Sequence, residues 1–286
     1  MALKKKRDDL GFQDAVDAVE DENLRQLDLD SPNVAEDGYI HDEKMLYGYF
    51  DEETGTLHNT FTYREMDGRD EEAINKNEVK SNGAKLANVL VERCVVQIGD
   101  FKKSDMGTKK WGTFIRNLCG GDLDYMMLKI RALSKGNTVT FTHKCPTCGA
   151  KLVTEVDCSD FKCIEFTGDS IHIPFDLPRG YVDKNGVVHK KGTIRIANGF
   201  DREIVTPLYR KNKAVATTKL FLRTMELDDG QPVSEECLKS MSVRDRDYLE
   251  KLTGDNAYGV DMAFDDLRCS VCDTDLSEVA GQSDFF

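Results

Sequence analysis

Apolar positions recur at two different periods along this chain, and the change from one to the other marks out its elements. Leu123, Met126, Met127, Ile130 and Leu133 share one face at helical spacing, which predicts a helix turned toward a core. Farther on, Ser242 and Asp245 stand as a capping pair ahead of "YLEKL" and predict a second helix. Around the stretch "HKCPTCGAKL" the period falls to two. There "NTVTFTH" and "KLVTEV" alternate β-branched and polar residues, so two strands are expected, joined by the cysteine-bearing knuckle. Asn185-Gly186, inside "IHIPFDLPRGYVDKNGVVHKKGTIRI", predicts a hairpin closed by a type I′ turn. Near the N-terminus, Phe12, Val16 and Val19 share a helical face that would order on a partner.

Laying one part of the chain on another exposes an ordered correspondence. "TYREMDGRDEEAI" matches "TIRIANGFDREIV" at an offset of 131, pairing Thr62 with Thr193, Arg64 with Arg195, Gly68 with Gly199, Asp70 with Asp201 and Glu72 with Glu203. Leu90 and Arg93 then match Leu220 and Arg223 at 130, and Asp124-Tyr125 matches Asp247-Tyr248 at 123. Cys145 and Cys148 match Cys269 and Cys272 at 124. The expected fold is therefore α+β, internally duplicated, with strand–helices–strand–knuckle–strand halves and an inserted β-hairpin between them. The expected divisions are an acidic arm at 1–44, a first half at 45–165, a hairpin connection at 166–192 and a second half at 193–286.

Charge sharpens the picture of the arm. Between Asp8 and Asp37 lie eleven acids and one base, Arg25, so this segment carries −10 of the chain's −13. The chain lacks the basic footprint that nucleic-acid binding requires, and an acidic arm suits a basic partner. The start, "MALKKKRDDLGF", is basic but lacks the apolar stretch of an export signal, and no apolar run is long enough to span a membrane. Synthesis in a cytoplasm is expected.

Four of the nine cysteines form two Cys-x-x-Cys pairs, in "KCPTCG" and "RCSVCD". A structural zinc ion takes four closed tetrahedral ligands, and each such turn aims two thiolates at one ion. Pro146 restricts the first turn and Gly149 suits a positive φ where the chain folds back. A redox pair would sit at a helix N-terminus, whereas a strand follows here. Ordinary ribbons space their pairs about 15–20 residues apart. Cys148 and Cys269 are 121 positions apart, a gap that duplication accounts for if the matching knuckles meet at an axis between the halves. One shared zinc site at Cys145, Cys148, Cys269 and Cys272 is expected, against two incomplete sites or no metal. Cys158 and Cys163 are the rival ligands, and Cys94, Cys119 and Cys237 read as buried apolar residues. His143 reads as a strand residue.

No phosphate-binding loop, metalloprotease, nucleophile-elbow or deaminase motif occurs, and a closed four-cysteine site leaves no open coordination position. The Arg64–Asp70 and Arg195–Asp201 pairs read as structural. The expectation is a protein that is not an enzyme.

The "RDRDYL" helix, "YGVDMAFDDLRCSVCDTDLSEV", "GNTVTFTHKCPTCGAKLVTEVDCSDF" and the terminal "DFF" together resemble the baseplate protein family of contractile-tailed, T-even-type phages, over residues 55–286. The second knuckle departs from the first in lacking its Pro and Gly. The resemblance implies a structural component of the virion tail baseplate. A tail assembly chaperone absent from the particle, or a host-directed zinc-ribbon protein binding the transcription machinery, are the alternatives. Partners would be other tail proteins, met through Phe12, Val16 and Val19 of the arm and through Phe285 and Phe286.

Overall fold

The computed structural model of the chain describes residues 34–261 and 268–275, together with the backbone of residues 24–26. The mixed α+β fold places its described strands in four sheets. The first half opens with a hairpin of β2 (Tyr39–Asp51) and β3 (Thr56–Arg64), β1 being the short Leu24–Gln26. Short helices α1 (Gly68–Ile74) and α2 (Asn77–Lys80) lead to α3 (Gly83–Cys94), and β4 (Val95–Ile98) then returns beside β3, with β5 (Phe101–Lys102) outside it. Helices α4 (Lys103–Met106), α5 (Thr108–Asn117) and α6 (Gly120–Lys135) follow. The predicted stripe on α6 is fully buried at Leu123, Met126, Met127 and Ile130. The predicted strands at the first knuckle are β6 (Thr138–Lys144) and β7 (Lys151–Asp157), paired in register from Thr138 with Asp157 to Lys144 with Lys151.

Beyond β8 (Lys162–Ile164), a comparable but shorter series of elements follows. Its hairpin, β9 (His172–Val182) and β10 (Val188–Arg195), is followed by α7 (Gly199–Tyr209), α8 (Lys213–Thr224) and β11 (Met225–Leu227), which lies beside β10. The registers correspond as well: Thr62 faces Gln97 as Thr193 faces Glu226. Helices α9 (Glu235–Ser240) and α10 (Val243–Asp255) complete a second apolar core around Phe221, Leu238 and Leu249.

Three expectations change. The hairpin at 166–192 is not an insertion, because β10 lies between β9 and β11 and hydrogen-bonds with both in the sheet of the second half. Its turn is not type I′, which needs two positive φ values; Gly186 has φ +81 but Asn185 is not among the positive-φ residues. Instead, Asp183 Oδ1 accepts the N–H groups of Asn185 and Val187, both at 2.8 Å, which stabilises a longer loop. Finally, β2 begins at Tyr39, inside the 1–44 stretch expected as an arm, and β1 pairs with β8. The arm residues Phe12, Val16 and Val19, and Phe285 and Phe286, lie outside the described residues.

Two connections interlace the halves. The start of α7 sits on the start of α6: Gly120 N–H donates to Ala197 O at 3.0 Å, Gly199 N–H to Leu118 O at 3.1 Å, and Arg202 reaches Asp124 at 2.8 Å. Late in the chain, β12 (Gly259–Asp261) pairs with β8, and Tyr258 and Val260 join the core of the first half.

Candidate metal centre

Each knuckle is built the same way. At the first, Gly149 N–H donates to Cys145 O at 3.0 Å and Cys145 N–H to Ala150 O at 2.9 Å; at the second, Asp273 N–H donates to Cys269 O at 2.8 Å and Cys269 N–H to Thr274 O at 2.9 Å. Lys144 pairs with Lys151 across the first, and Arg268 bridges Asp275 across the second. The absence of glycine from "CSVCD" does not alter this turn. Asp273 takes φ +56 where Gly149 takes φ +74, a region that Asp tolerates better than most residues.

The two knuckles face each other. Cys145 Sγ lies 3.6 Å from Cys272 Sγ and Cys148 Sγ lies 3.7 Å from Cys269 Sγ. The contacts are reciprocal, the first cysteine of each turn meeting the second of the other, as across a local twofold axis. All four sulfur atoms lie within 4.8 Å of one another, close enough to hold a metal ion. A tetrahedron of thiolates about 2.3 Å from a central zinc has edges of about 3.8 Å, so the spacing suits zinc. The thiols are free, with Cys145 and Cys269 buried and Cys148 and Cys272 exposed.

Electrostatics favour the thiolate at two of these cysteines and oppose it at a third. The backbone N–H of Cys148 is the largest influence holding Cys145 down, to about 6, and Thr274 lowers Cys272 through its hydroxyl and backbone. Cys148 is pushed to about 12: the Ala150 N–H favours its thiolate, but the sulfurs of Cys272, Cys145 and Cys269 outweigh it. Four thiols this close compete for charge, and a dication at their centre would end the competition.

The rival cysteines are elsewhere. Cys158 and Cys163 are buried in the core of the first half, as are Cys94 and Cys119, and Cys237 belongs to the second core. Burial pushes Cys158 to about 11 and Cys94 and Cys119 to about 12, so these remain thiols at neutral pH. His143 lies on β6.

The matched charges form two Arg–Asp–Arg triads. Asp70, wholly buried, takes Arg64 and Arg93 at 2.7 Å each, and Asp201, also wholly buried, takes Arg195 and Arg223 at 2.8 Å each. Both aspartates also close a capping box, with Asp67 in one half and Asn198 in the other. Each triad thus ties the strand before a helix to the end of a later helix, a structural role.

A second pair of buried carboxylates, Asp122 and the capping Asp245, makes strand contacts that the sequence did not disclose. Asp122 accepts the N–H groups of Leu46, Tyr47 and Gly48 on β2 and the Tyr258 hydroxyl. Asp245 accepts the N–H of Arg179 on β9 at 2.8 Å. Two residues beyond each comes the matched Asp-Tyr, and these tyrosines also reach the same strands: Tyr125 donates to Glu43, and Tyr248 accepts from Asp176 N–H. The signal was present as D-x-D-Y in both "DLDY" and "DRDY".

Residues 52–197, just over half of the chain, match the family described as T4 bacteriophage base plate protein, and the chain belongs to that family. Membership gives a structural role in a phage tail baseplate, in association with other tail proteins. The matched stretch contains the first knuckle and stops short of the second. No curated protein and no solved structure matches the chain. Among the described residues no helix is long and apolar enough to cross a membrane.

Proposed function

We propose that this chain is a non-enzymatic building block of a contractile-tail baseplate, carried in the virion, in which one structural zinc ion locks two duplicated halves together. Cys145, Cys148, Cys269 and Cys272 hold the ion. The observation that carries this reading is the reciprocal seating of two like-built turns, which brings four thiols from the middle and the late part of the chain to one point. A closed thiolate site supplies no open position for chemistry, and its role is cohesion. Duplication is supported by the triads, the shared strand order and the paired D-x-D-Y motifs. Partner contacts are assigned to Phe12, Val16 and Val19 of the acidic arm and to Phe285 and Phe286.

The test is metal analysis of the purified chain beside its assay in purified particles. One zinc per chain, lost in Cys269→Ser, together with presence in particles, is expected. No zinc, or zinc unchanged in Cys269→Ser, overturns the site. Absence from particles would replace the virion role with one in assembly.

A further inference from the structure

A groove of about 600 Å³ opens at the seam between the halves. Tyr49, Phe50 and Phe101 line one side, and residues 170–172 line the other. Tyr49 and Phe101 meet edge to face at 5.5 Å, while Phe50 is 48% exposed. Three consecutive carboxylates, Asp51, Glu52 and Glu53, also belong to the lining, with residues 117–119 beyond them, and no Lys or Arg contributes to it among the described residues. Asp51 is engaged locally by Glu53 N–H and the Thr54 hydroxyl. Glu52 and Glu53 pair with no cation among the described residues. After burial, the same three carboxylates are what push the Tyr49 phenol up, a mark of the negative field here. Aromatic rings beside unpaired carboxylates attract a cationic side chain twice, through the ring face and through charge-assisted hydrogen bonds.

The chain carries one run of four consecutive bases, Lys4–Arg7. Its point of attachment to the fold is close to the groove. Leu24 pairs with Ile164, and the chain beyond β8 leads through Phe166, whose N–H donates to Leu46 O at 3.2 Å. The Phe166 ring packs 4.8 Å from Tyr47, itself in the groove lining. Residues 7–23 can span up to about 56 Å when extended, ample for this return. We propose that the groove is the docking site of the chain's own N-terminal basic run, with Lys4–Arg7 set against Glu52, Glu53 and the aromatic side. This inference stands apart from the zinc site and does not rest on it.

The test is zero-length carboxylate–amine cross-linking of the full chain, using an equal mixture of isotope-labelled and unlabelled protein. Links from Lys4, Lys5 or Lys6 to Glu52 or Glu53 are expected within single-label species, and are lost in the E52Q/E53Q double variant. Amide exchange across Tyr49–Glu53 is expected to rise about tenfold in the K4E/K5E/K6E variant, since a few exposed ion pairs together give about that factor. The same rise is expected in wild type at about 1 M salt, where screening shortens to about 3 Å. Links found only in mixed-label species would assign the groove to a second copy and overturn the proposal. Links elsewhere, or exchange unchanged in the charge-reversed variant, would also overturn it.

Discussion

Asp122 holds three backbone N–H groups and a tyrosine hydroxyl with one buried carboxylate, so its loss would strand several donors at once. Asp122→Ala is expected to cost about 3 kcal/mol or more, and Asp245→Ala, with one strand N–H at stake, about 1–2 kcal/mol, read by urea denaturation. Burial raises Asp122 to about 6 against the pull of these donors. The folded state therefore keeps this proton to higher pH than the unfolded chain, so the Asp122 contribution to stability is greatest below about pH 4 and declines as pH rises toward 6. An Asp122→Asn variant should lack that decline when its denaturation midpoints are compared with wild type across pH 4–6. The sequence held these residues in plain view as D-x-D-Y, but only their second Asp and Tyr were matched. An aspartate near a helix start reads as a cap, and nothing local reveals a carboxylate turned toward a strand more than sixty positions away. Asp273 makes the converse point, because a residue that is not glycine occupies the left-handed region and preserves the turn. Asp273→Gly should retain zinc under chelator challenge, whereas Asp273→Val, forced to positive φ, should lose about 1–2 kcal/mol in a thermal melt.

The triads act between elements, joining a strand, a helix start and the end of a later helix. Burial raises Asp70, but Arg64, the Asp67 N–H and Arg93 outweigh it and hold the carboxyl well below its usual range. A depressed carboxylate contributes stability above its unfolded value near 3.8 and loses it as pH falls below that. Asp70→Asn is accordingly expected to cost about 2–4 kcal/mol at pH 7 by leaving two part-buried guanidinium groups uncompensated, and progressively less in acid. Denaturation of wild type and variant at pH 7 and pH 3 checks both statements. Elements with clean periodicity were legible: the stripe on α6, the strands at the first knuckle and the cap of α10. The hairpin of the first half was hidden because β2 carries register shifts between Ile40 and Glu43 and between Lys44 and Tyr49, which break a period of two. With β2 and β3 unseen as a pair, their counterparts β9 and β10 looked like extra chain between the halves.

At the scale of the whole molecule, the late part of the chain closes the fold in two places, at β12 on β8 and at the second knuckle on the first. Loss of the proposed zinc would release one closure, and ending the chain at Ala257 releases both. Chelation is expected to lower the unfolding midpoint while leaving one cooperative transition, since structural zinc contributes a large share of an ordinary stability margin. The truncated chain, deprived also of Tyr258 in the first core, should show a broadened transition and rapid amide exchange in residues 39–164. The meeting of the two knuckles could be inferred from the sequence because four cysteines repeat at one offset. The β12 closure could not, being three residues of extended backbone that any local reading passes over. The separation of the knuckles also sets a clock on synthesis. With 121 positions between Cys148 and Cys269, and elongation at about 5–20 residues per second, the first two thiols wait about 6–24 s for their partners to be made. Throughout that interval each nascent chain presents an unpartnered knuckle to its neighbours on the same message, and pairing between adjacent chains competes with pairing within one.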